Sequence, residues 1–322
     1  MAVAIKGSYS DMICMKLIET ANSIKTMEIR GAGLIARSAA DALKDLAENY
    51  QGNSLDEFID LLDQGGKTLV ASRPTAISLW NAVQATLKDA PRAENVEDLR
   101  TKIVKNADSF ILNSNKAVEI IGKIGANRIK DGDTILTHCN SKAALSVIKT
   151  AFKQGKDISV YATESRPWRQ GLLTVKDLSD AGIPVTLIVD SAVRWIMKEI
   201  DLAVVGADTV CSNGALINKI GTSQIALAAH EARVPLMVCA ESYKFSPKTI
   251  QGEMVEIEER ETSEVATNLP PGVKIRNPVF DSTPAEYIDS IATEIGLISP
   301  YAAYEVIVNK LGHECLFERE SD

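Results

Sequence analysis

The sequence predicts an α/β protein in which a helical N-terminal domain is followed by a doubly wound, Rossmann-like parallel sheet. Up to about residue 125 apolar residues recur at helical spacing, whereas from Asp131 onward short β-branched runs alternate with amphipathic segments. Aromatic residues make up only 5% of the chain, so the core must consist of Ala, Ile, Leu and Val. A chain of 322 residues suits two domains, or one domain with a substantial helical attachment, and we place the two parts at residues 1–127 and 128–322.

The first domain is predicted to consist of amphipathic helices. Leu17, Ala21 and Ile24 share one helical face, and the same spacing recurs at residues 34–43, 58–62 and 79–87. A longer segment, residues 96–124, keeps this spacing throughout. It indicates a helix that connects the two domains.

The second domain is predicted to hold parallel strands. Short apolar runs, typical of strands buried on both faces, lie at residues 134–139, 158–164, 184–190, 202–208 and 235–241. We expect helices between them at residues 142–154, 174–181, 193–198 and 215–232. Residues 253–273 are interpreted as an excursion whose apolar start equally fits a strand. In such sheets, ligands bind in the crevice outside the carboxyl ends of the strands.

The charge and the terminal sequence argue against several classes of partner. A formal net charge of -8 disfavours a general affinity for nucleic acid or anionic membranes, since both require a clustered positive field. No stretch approaches the roughly 20 apolar residues of a membrane span, and the N-terminus lacks the apolar block of a signal peptide. We therefore expect a cytoplasmic protein.

The cysteines and histidines form no recognisable metal or disulfide pattern. The five cysteines are far apart and contain no C-x-x-C pair, and the three histidines are scattered. We therefore expect no metal site. By default each cysteine is a small, buried, apolar residue.

Polar residues follow every predicted strand, and Cys139 is the most informative of them. It lies at the turn between the first strand and the next helix, beside Ser141 and Lys142. A helix N-terminus and a nearby ammonium both stabilise a thiolate, so this thiol should be more acidic than a free one. Such a thiolate can act as a general base or a nucleophile. The alternative is a buried structural cysteine.

Asp208 ends the fourth predicted strand, after an apolar run that would desolvate it. Desolvation raises a carboxyl pKa, so Asp208 is a candidate proton donor near neutral pH. The alternative is an aspartate that caps a helix or forms a turn, which is common after a strand. Since the five strand ends share one rim, we expect Cys139 and Asp208 to lie on the same edge of the sheet.

Two turns of the N-terminal domain and a set of cations indicate an anionic ligand. Residues 30–33, Arg-Gly-Ala-Gly, precede a helix whose N–H groups can cradle an anion beneath Arg30, although a plain helix start explains them equally. Residues 72–75 combine a proline turn, a helix start and one arginine. Five cations beside turns together favour a substrate with more than one phosphate: Arg30, Arg73, Lys142, Lys219 and Lys244.

A series of motifs runs from about residue 28 to the C-terminus. They are RGAG (30–33), SRPTAISL (72–79), THCNSKA (137–143), ESRP (164–167) with QG (170–171), GAD (206–208), NGALINKIGT (213–222) and SYKFSP (242–247). In content and order these motifs resemble one superfamily. It unites the methylthioribose-1-phosphate isomerases, the archaeal ribose-1,5-bisphosphate isomerases and the regulatory subunits of translation initiation factor 2B.

Three features bear on the branch. The regulatory subunits generally lack the Cys–Asp pair, so Cys139 with Asp208 favours an enzyme. Ser141 and Lys142 in CNSKA, and Ala215 in NGALINK, resemble the ribose-1,5-bisphosphate branch. Asn140 departs from this pattern and is similar to the methylthioribose branch, which therefore stays an alternative, as does a non-catalytic regulatory subunit.

The resemblance implies an isomerase that converts ribose 1,5-bisphosphate to ribulose 1,5-bisphosphate without a metal or an organic cofactor. Asp208 is then the acid of ring opening, and Cys139 removes the proton from the second carbon to give a phosphoenolate-like intermediate. The implied substrate contacts are Arg30, Gly31, Ala32, Gly33, Arg73, Ser141, Lys142, Ala143, Asn218, Lys219 and Lys244.

The resemblance also implies partners. It implies a dimer-based homo-oligomer that pairs through the sheet-bearing domain, a hexamer in the bisphosphate branch, and a place in archaeal AMP and nucleoside degradation. AMP is plausible as an activator on pathway grounds, although the sequence contains no separate nucleotide motif.

Overall fold

The computed structural model describes residues 15–311, the last of them by its backbone only. The chain divides into two compact units, Met1–Lys116 and Ala117–Asp322. The dividing line falls inside a single long helix, which therefore contributes residues to both units. The domain boundary expected at residues 127 and 128 stays a prediction.

The N-terminal unit is built from helices around an aliphatic core. Its helices are α1 (Met15–Lys25), α2 (Ala32–Asn49), α3 (Leu55–Ser72), α4 (Ile77–Leu87) and the first part of α5 (Val96–Ala126). Leu43, Phe58 and Leu99 are fully buried in this core. Ser54 caps α3 by accepting a hydrogen bond from the N–H of Glu57 at 3.3 Å. The expectation of a helical N-terminal region is confirmed.

The C-terminal unit contains a seven-stranded sheet. Its strands are β1 (Thr134–Thr137), β2 (Ser159–Thr163), β3 (Val185–Ile188), β4 (Leu202–Val205), β7 (Leu236–Cys239), β9 (Ser290–Thr293) and β10 (Gly296–Ile298). The order is β10-β9-β7-β4-β1-β2-β3, and every pair is parallel except β9 with β10. The chain runs outward from β1 to β3 and then returns to β4, so the predicted doubly wound sheet is confirmed. Its switch point lies between β1 and β4.

Helices pack on both faces of this sheet. They are α6 (Lys142–Lys153), α7 (Gly171–Ser179), α8 (Val193–Ile196), α9 (Thr222–Ala232) and α10 (Ala303–Val306), with a π-helical turn at Ile307–Leu311. Successive residues of a strand point to opposite faces. Accordingly Ile135 packs in the cluster that contains α6 and α7, while its neighbour Leu136 packs in the cluster of α8, α9 and α10.

A second, three-stranded sheet corrects one prediction. Residues 215–232 were expected to form a single helix, but β6 (Leu216–Lys219) precedes α9. It pairs antiparallel with β5 (Thr209–Val210) and β8 (Phe280–Thr283). Because of this pairing, the segment forms a strand and not the first turn of a helix. Residues 253–273 are an excursion with one short 3-10 turn at Thr262–Glu264 and no strand. Within the described residues, no helix is long and apolar enough to cross a membrane.

Candidate active site

The switch point of the sheet brings Cys139 and Asp208 together. Cys139 follows β1 and Asp208 follows β4, and these two strands are neighbours. The Asp208 carboxylate is close enough to raise the pKa of the Cys139 thiol. Gly206 allows the two turns to touch, because a Cβ there would come within 2.3 Å of the Ser141 Oγ. The expectation that Cys139 and Asp208 share one edge of the sheet is therefore met by the strand order.

The backbone of Cys139 is held in an unusual conformation from several sides. Its φ of 65° lies in the left-handed region, which costs a non-glycine residue about 1–3 kcal/mol. Its N–H donates to Ser165 Oγ at 2.8 Å, and its carbonyl accepts from Thr174 Oγ1 at 2.6 Å. The thiol itself donates to Gln170 Oε1 at 3.3 Å. Surrounding side chains therefore fix both the turn and the thiol.

The acidity expected of Cys139 is not found. Burial raises the pKa of the thiol to about 11 from 9.0, and the charges of Asp208 and Asp190 act in the same direction. The ammonium of Lys219 and the N–H of Asn140 oppose this shift without cancelling it. The expected helper, Lys142, is exposed at the start of α6 and is not among the groups that shift this pKa. In the free chain at neutral pH, Cys139 is therefore a thiol.

Lys219 supplies a buried positive charge beside Cys139. Its residue is only 8% exposed, and no carboxylate of the described residues forms an ion pair with it. The ammonium lies 5.3 Å from the centroid of the Phe280 ring. The adjacent Asn218 is also buried and donates to Thr222 Oγ1 at 3.0 Å. A desolvated cation without a carboxylate partner is costly to keep, and it suits the binding of an anion.

Lys244 differs, because its charge is already neutralised within the protein. Its Nζ lies 2.7 Å from Glu241 Oε2, and both side chains are almost fully buried. Burial alone would raise the pKa of Glu241, but the pairing with Lys244 outweighs it, so the net shift is downward. Tyr243 donates a further hydrogen bond to Glu241 at 3.1 Å. A substrate contact by Lys244 stays a prediction.

The turn after Cys139 forms a helix N-terminus. Ser141 caps α6 by accepting from the N–H of Ala144 at 3.3 Å. Lys142 is exposed at the first helical position, while Ala143 is buried. The unpaired N–H groups and the dipole of such a helix end attract phosphate, and Lys142 adds a full charge at the same place.

The two predicted anion turns lie side by side in the N-terminal unit. Gly31 has a φ of 82° and starts α2, which leaves the N–H groups of Ala32 and Gly33 at the helix end. Arg30 is exposed and donates to the carbonyl of Met27 at 2.6 Å. Arg73 is the C-cap residue that follows α3, and Ser78 in the next helix donates to the carbonyl of Ala32 at 3.1 Å.

The sequence interpretation assigned no role to four residues that organise the site. Ser165, Gln170 and Thr174 bond to Cys139, and His138 precedes it. Three of them, Ser165, Thr174 and His138, are buried polar residues. Ser165 and Gln170 lie in the motifs at 164–167 and 170–171, which was the available signal. Across the described residues, no group of three or more His, Cys, Asp or Glu side chains is placed to hold a metal ion.

The fold and this candidate site define a Rossmann-like protein with a thiol and a carboxylate at its switch point. Comparisons with known proteins identify its family. The model of the initiation factor 2 subunit family matches residues 28–300. The ribose 1,5-bisphosphate isomerase of Methanocaldococcus jannaschii is 57% identical over 91% of this chain and 95% of its own. The ribose 1,5-bisphosphate isomerase of Archaeoglobus fulgidus is 55% identical over 95% of this chain and 96% of its own.

A solved structure extends this similarity. The translation initiation factor eIF-2B of Pyrococcus horikoshii OT3 has a TM-score of 0.77 at 32% identity, covering 89% of this chain and 98% of that one. The chain belongs to the initiation factor 2 subunit family.

Proposed function

We propose that this protein is an enzyme that converts ribose 1,5-bisphosphate to ribulose 1,5-bisphosphate. The observation that carries the proposal is the placement of Cys139 and Asp208 at the ends of adjacent strands, with the buried Lys219 ammonium close to the thiol. The relatives that are 57% and 55% identical bear the name ribose 1,5-bisphosphate isomerase. An aldose–ketose isomerisation that uses no metal needs a positioned base for the carbon-bound proton and a positioned acid for the oxygen.

The first step opens the sugar ring. The anomeric oxygen carries phosphate, so the ring cannot open by loss of a hydroxyl proton, and the ring oxygen must be protonated instead. Asp208 delivers this proton as the bond between C1 and the ring oxygen breaks. The Cys139 thiolate takes the proton from C2, whose electron pair forms the C1–C2 double bond of an enol phosphate.

The second step returns both protons. The C2 hydroxyl gives its proton to the Asp208 carboxylate as the carbonyl forms, and the Cys139 thiol gives its proton to C1. The enzyme is thereby restored, and substrate and product have the same composition. Each residue acts once as acid and once as base.

The charges beside Cys139 suit this cycle. The Asp208 carboxylate raises the pKa of the thiol, so transfer of a proton to that carboxylate removes this effect and makes the thiolate easier to form. The form that starts the reaction has the proton on Asp208 and the charge on Cys139, and Lys219 favours the thiolate.

Phosphate binding is assigned to the helix ends and cations described above. Ser141, Lys142 and Ala143 form one helix N-terminus, and residues 30–33 with Arg73 form another anion-binding region. Asn218 and Lys219 are placed to meet the reacting end of the sugar, since Lys219 lies beside the thiol. Lys244 is the weakest of the proposed phosphate contacts, because Glu241 already neutralises its charge.

A direct assay tests the proposal. The purified protein is supplied separately with ribose 1,5-bisphosphate and methylthioribose 1-phosphate, and the ketose product of each is measured. We expect turnover of the bisphosphate and loss of that turnover in Cys139→Ser. Turnover of methylthioribose 1-phosphate alone would overturn the choice of substrate. No turnover of either, combined with binding to an initiation factor subunit, would favour a regulatory role.

Asn140, the residue that favoured the methylthioribose branch, does not discriminate between the branches. Its Nδ2 donates to Thr174 Oγ1 at 3.0 Å, and Thr174 in turn holds the carbonyl of Cys139. Asn140 therefore supports the turn of the thiol, which either substrate requires.

Assembly and location complete the proposal. The edge strand β3 and the segment after it expose large apolar side chains, Leu187, Val189 and Trp195, which supports pairing of copies through the sheet-bearing unit. We propose a cytoplasmic homo-oligomer, dimer-based and hexameric, with AMP as an activator. Light scattering of the pure protein, and assays with and without AMP, test these points.

A further inference from the structure

A buried polar network lies directly behind Cys139 and plays no part in the proton transfers above. Its members are His138, Thr163 and Ser165, which are 2%, 0% and 1% exposed. They come from the ends of β1 and β2. Buried polar groups of this kind are retained only when each hydrogen bond is satisfied, so the network can be traced donor by donor.

The hydrogen bonds determine the tautomer of His138. Its Nε2 lies 2.8 Å from the carbonyl oxygen of Ile220, which can only accept, so Nε2 carries the proton. Nδ1 is then the acceptor and receives the Thr163 hydroxyl. Ser165 Oγ accepts from the N–H of Cys139 at 2.8 Å and can donate to Thr163 Oγ1, 3.2 Å away. Every group in the network is satisfied with a neutral imidazole.

The same imidazole connects the turn that carries Cys139 with the loop that follows Lys219. His138 is the chain neighbour of Cys139, and Ile220 is the chain neighbour of Lys219. The ring packs closely on the next residue, Gly221, where a Cβ would lie 3.2 Å from His138 Cε1. Gly221 has a φ of 101°, a conformation that favours glycine. The loop that follows Lys219 is therefore anchored on the ring that precedes Cys139.

We propose that His138 is a positioning residue that sets the placement of the Cys139 thiol relative to the Lys219 ammonium. The proposal deepens the function proposed above, because it concerns the same thiol. The rigid, neutral ring is hydrogen-bonded at both nitrogens. It thereby fixes the spacing between the loop after β1, which contains Cys139, and the loop after β6, which follows Lys219. Among the described residues, no other hydrogen bond joins these two loops close to the thiol.

The charge state of His138 suits this role. Burial lowers the pKa of the imidazole, and the charge of Lys219 acts in the same direction, while the backbone of Ile220 and Lys219 and the charge of Asp190 oppose the shift. The other groups that face the ring, Thr163 and Ser165, are uncharged hydroxyls. The lowered pKa favours the neutral ring, and the Ile220 carbonyl fixes its tautomer.

Two substitutions at His138 test the proposal by kinetics. His138→Leu removes both hydrogen bonds, whereas His138→Gln keeps a donor that can reach the Ile220 carbonyl. Misplacement by about 1 Å can cost on the order of 10²-fold in rate, so we expect His138→Leu to lower kcat by about that factor. We expect KM to change by less than about threefold, because substrate binding does not use the ring. The kcat of His138→Gln should be about tenfold higher than that of His138→Leu.

A second measurement does not depend on the substrate. The rate of iodoacetamide alkylation at Cys139, followed by mass spectrometry at pH 8, reports the fraction of thiolate. We expect it to fall in His138→Leu, because the ammonium no longer favours the thiolate, and to recover in His138→Gln. This readout remains valid even if ribose 1,5-bisphosphate is not the substrate.

A third variant tests the proposal in case His138→Leu does not fold. Thr163→Val is nearly isosteric and removes the donor to Nδ1. The matched control is Thr283→Val, a threonine of equal burial whose hydroxyl has no partner among the described residues. Thr163→Val should lower both kcat and the alkylation rate, and the control should lower neither. A folded His138→Leu or Thr163→Val with both quantities within about twofold of wild type would overturn the proposal.

Discussion

The two buried lysines of the C-terminal unit differ in how the protein compensates their charges. Lys219 and Lys244 are 8% and 6% exposed; Lys219 is the last residue of β6, and Lys244 lies in the turn after β7. Lys244 is paired with Glu241 at 2.7 Å, so the protein neutralises its charge internally. Within the described residues, Lys219 has no carboxylate partner, yet its charge acts on the Cys139 thiol.

The difference indicates which of the two lysines is suited to bind an anionic ligand. A buried ion pair is broken only at high cost, so Lys244 is held in place by Glu241 and can change little. A buried cation without a partner is instead compensated when an anionic ligand arrives. The same contrast appears between Cys139 and Cys211, since both are thiols of raised pKa but only Cys139 has charged neighbours that shift it.

The largest expected effect is that of Cys139→Ser. A hydroxyl is a far weaker base than a thiolate, and loss of a general base costs about 10²–10⁴-fold in rate. We expect near-complete loss of turnover of ribose 1,5-bisphosphate with the fold intact, measured by steady-state assay and circular dichroism. Cys211→Ser is the matched control, and it should retain wild-type kcat. Equal losses in both variants would show that the effect is structural.

Exchanging each lysine for Met tests the central contrast. Lys219→Met removes the charge that favours the thiolate, so kcat should fall by about 10²-fold while the free energy of unfolding stays constant or rises. Lys244→Met leaves Glu241 buried and unpaired, which should cost about 3–5 kcal/mol of stability. Urea unfolding and kcat are measured for both.

The double variant Lys244→Met with Glu241→Gln provides the control, since it removes both charges and should recover much of the lost stability. If Lys219→Met were the destabilised variant and Lys244→Met the inactive but stable one, the two lysines would have the opposite assignment.

A smaller effect is expected from Lys142→Ala. Lys142 is exposed at the first position of α6, where its ammonium adds to the helix N-terminus without being desolvated. We expect KM for the bisphosphate to rise about tenfold and kcat to change little, since the contact is made equally to substrate and transition state. Lys149→Ala, in the same helix but away from its start, should leave KM unchanged. An unchanged KM in Lys142→Ala would remove its phosphate role.

The fold was largely predictable because its strands are short apolar runs. The runs around Leu136 and Val204 are buried on both faces and cannot be confused with surface segments. The segment Leu216–Lys219 was misassigned, because its apolar residues fit a helical face as well as a strand. Its strand character depends on pairing with residues about 60 positions later, such as Asp281 with Asn218, and no local pattern shows this.

The candidate site was proposed from the sequence because reactive residues follow the predicted strand ends. The strand order places the turns after β1 and β4, which carry Cys139 and Asp208, at one edge of the sheet, while the catalytic roles of the two residues stay a prediction. The direction of the thiol pKa shift was wrong, because the sequence shows the adjacent Lys142 but not the burial that dominates. His138 and Ser165 lie within recognised motifs but received no role, since the function of a buried histidine depends on partners such as Ile220, 82 positions away, which the sequence does not show.

The smallest effect is a shift in the titration of Cys139, and it completes the contrast between the charges around the thiol. The Asp208 carboxylate raises the pKa of this thiol and the Lys219 ammonium lowers it. We therefore expect the pH profile of Cys139 alkylation to move to lower pH in Asp208→Asn and to higher pH in Lys219→Met, relative to a wild-type pKa of about 11.

The sign also sets the pH range of a stability effect. The pKa in the folded chain, about 11, exceeds the ordinary value of 9.0, so the contribution of Cys139 to stability is present below pH 9.0 and is lost as the pH rises towards 11. The free energy of unfolding of Cys139→Ser should accordingly fall less steeply between pH 9.0 and about 11 than that of the wild type. Shifts in the same direction for Asp208→Asn and Lys219→Met would mean that neither charge acts on the thiol directly.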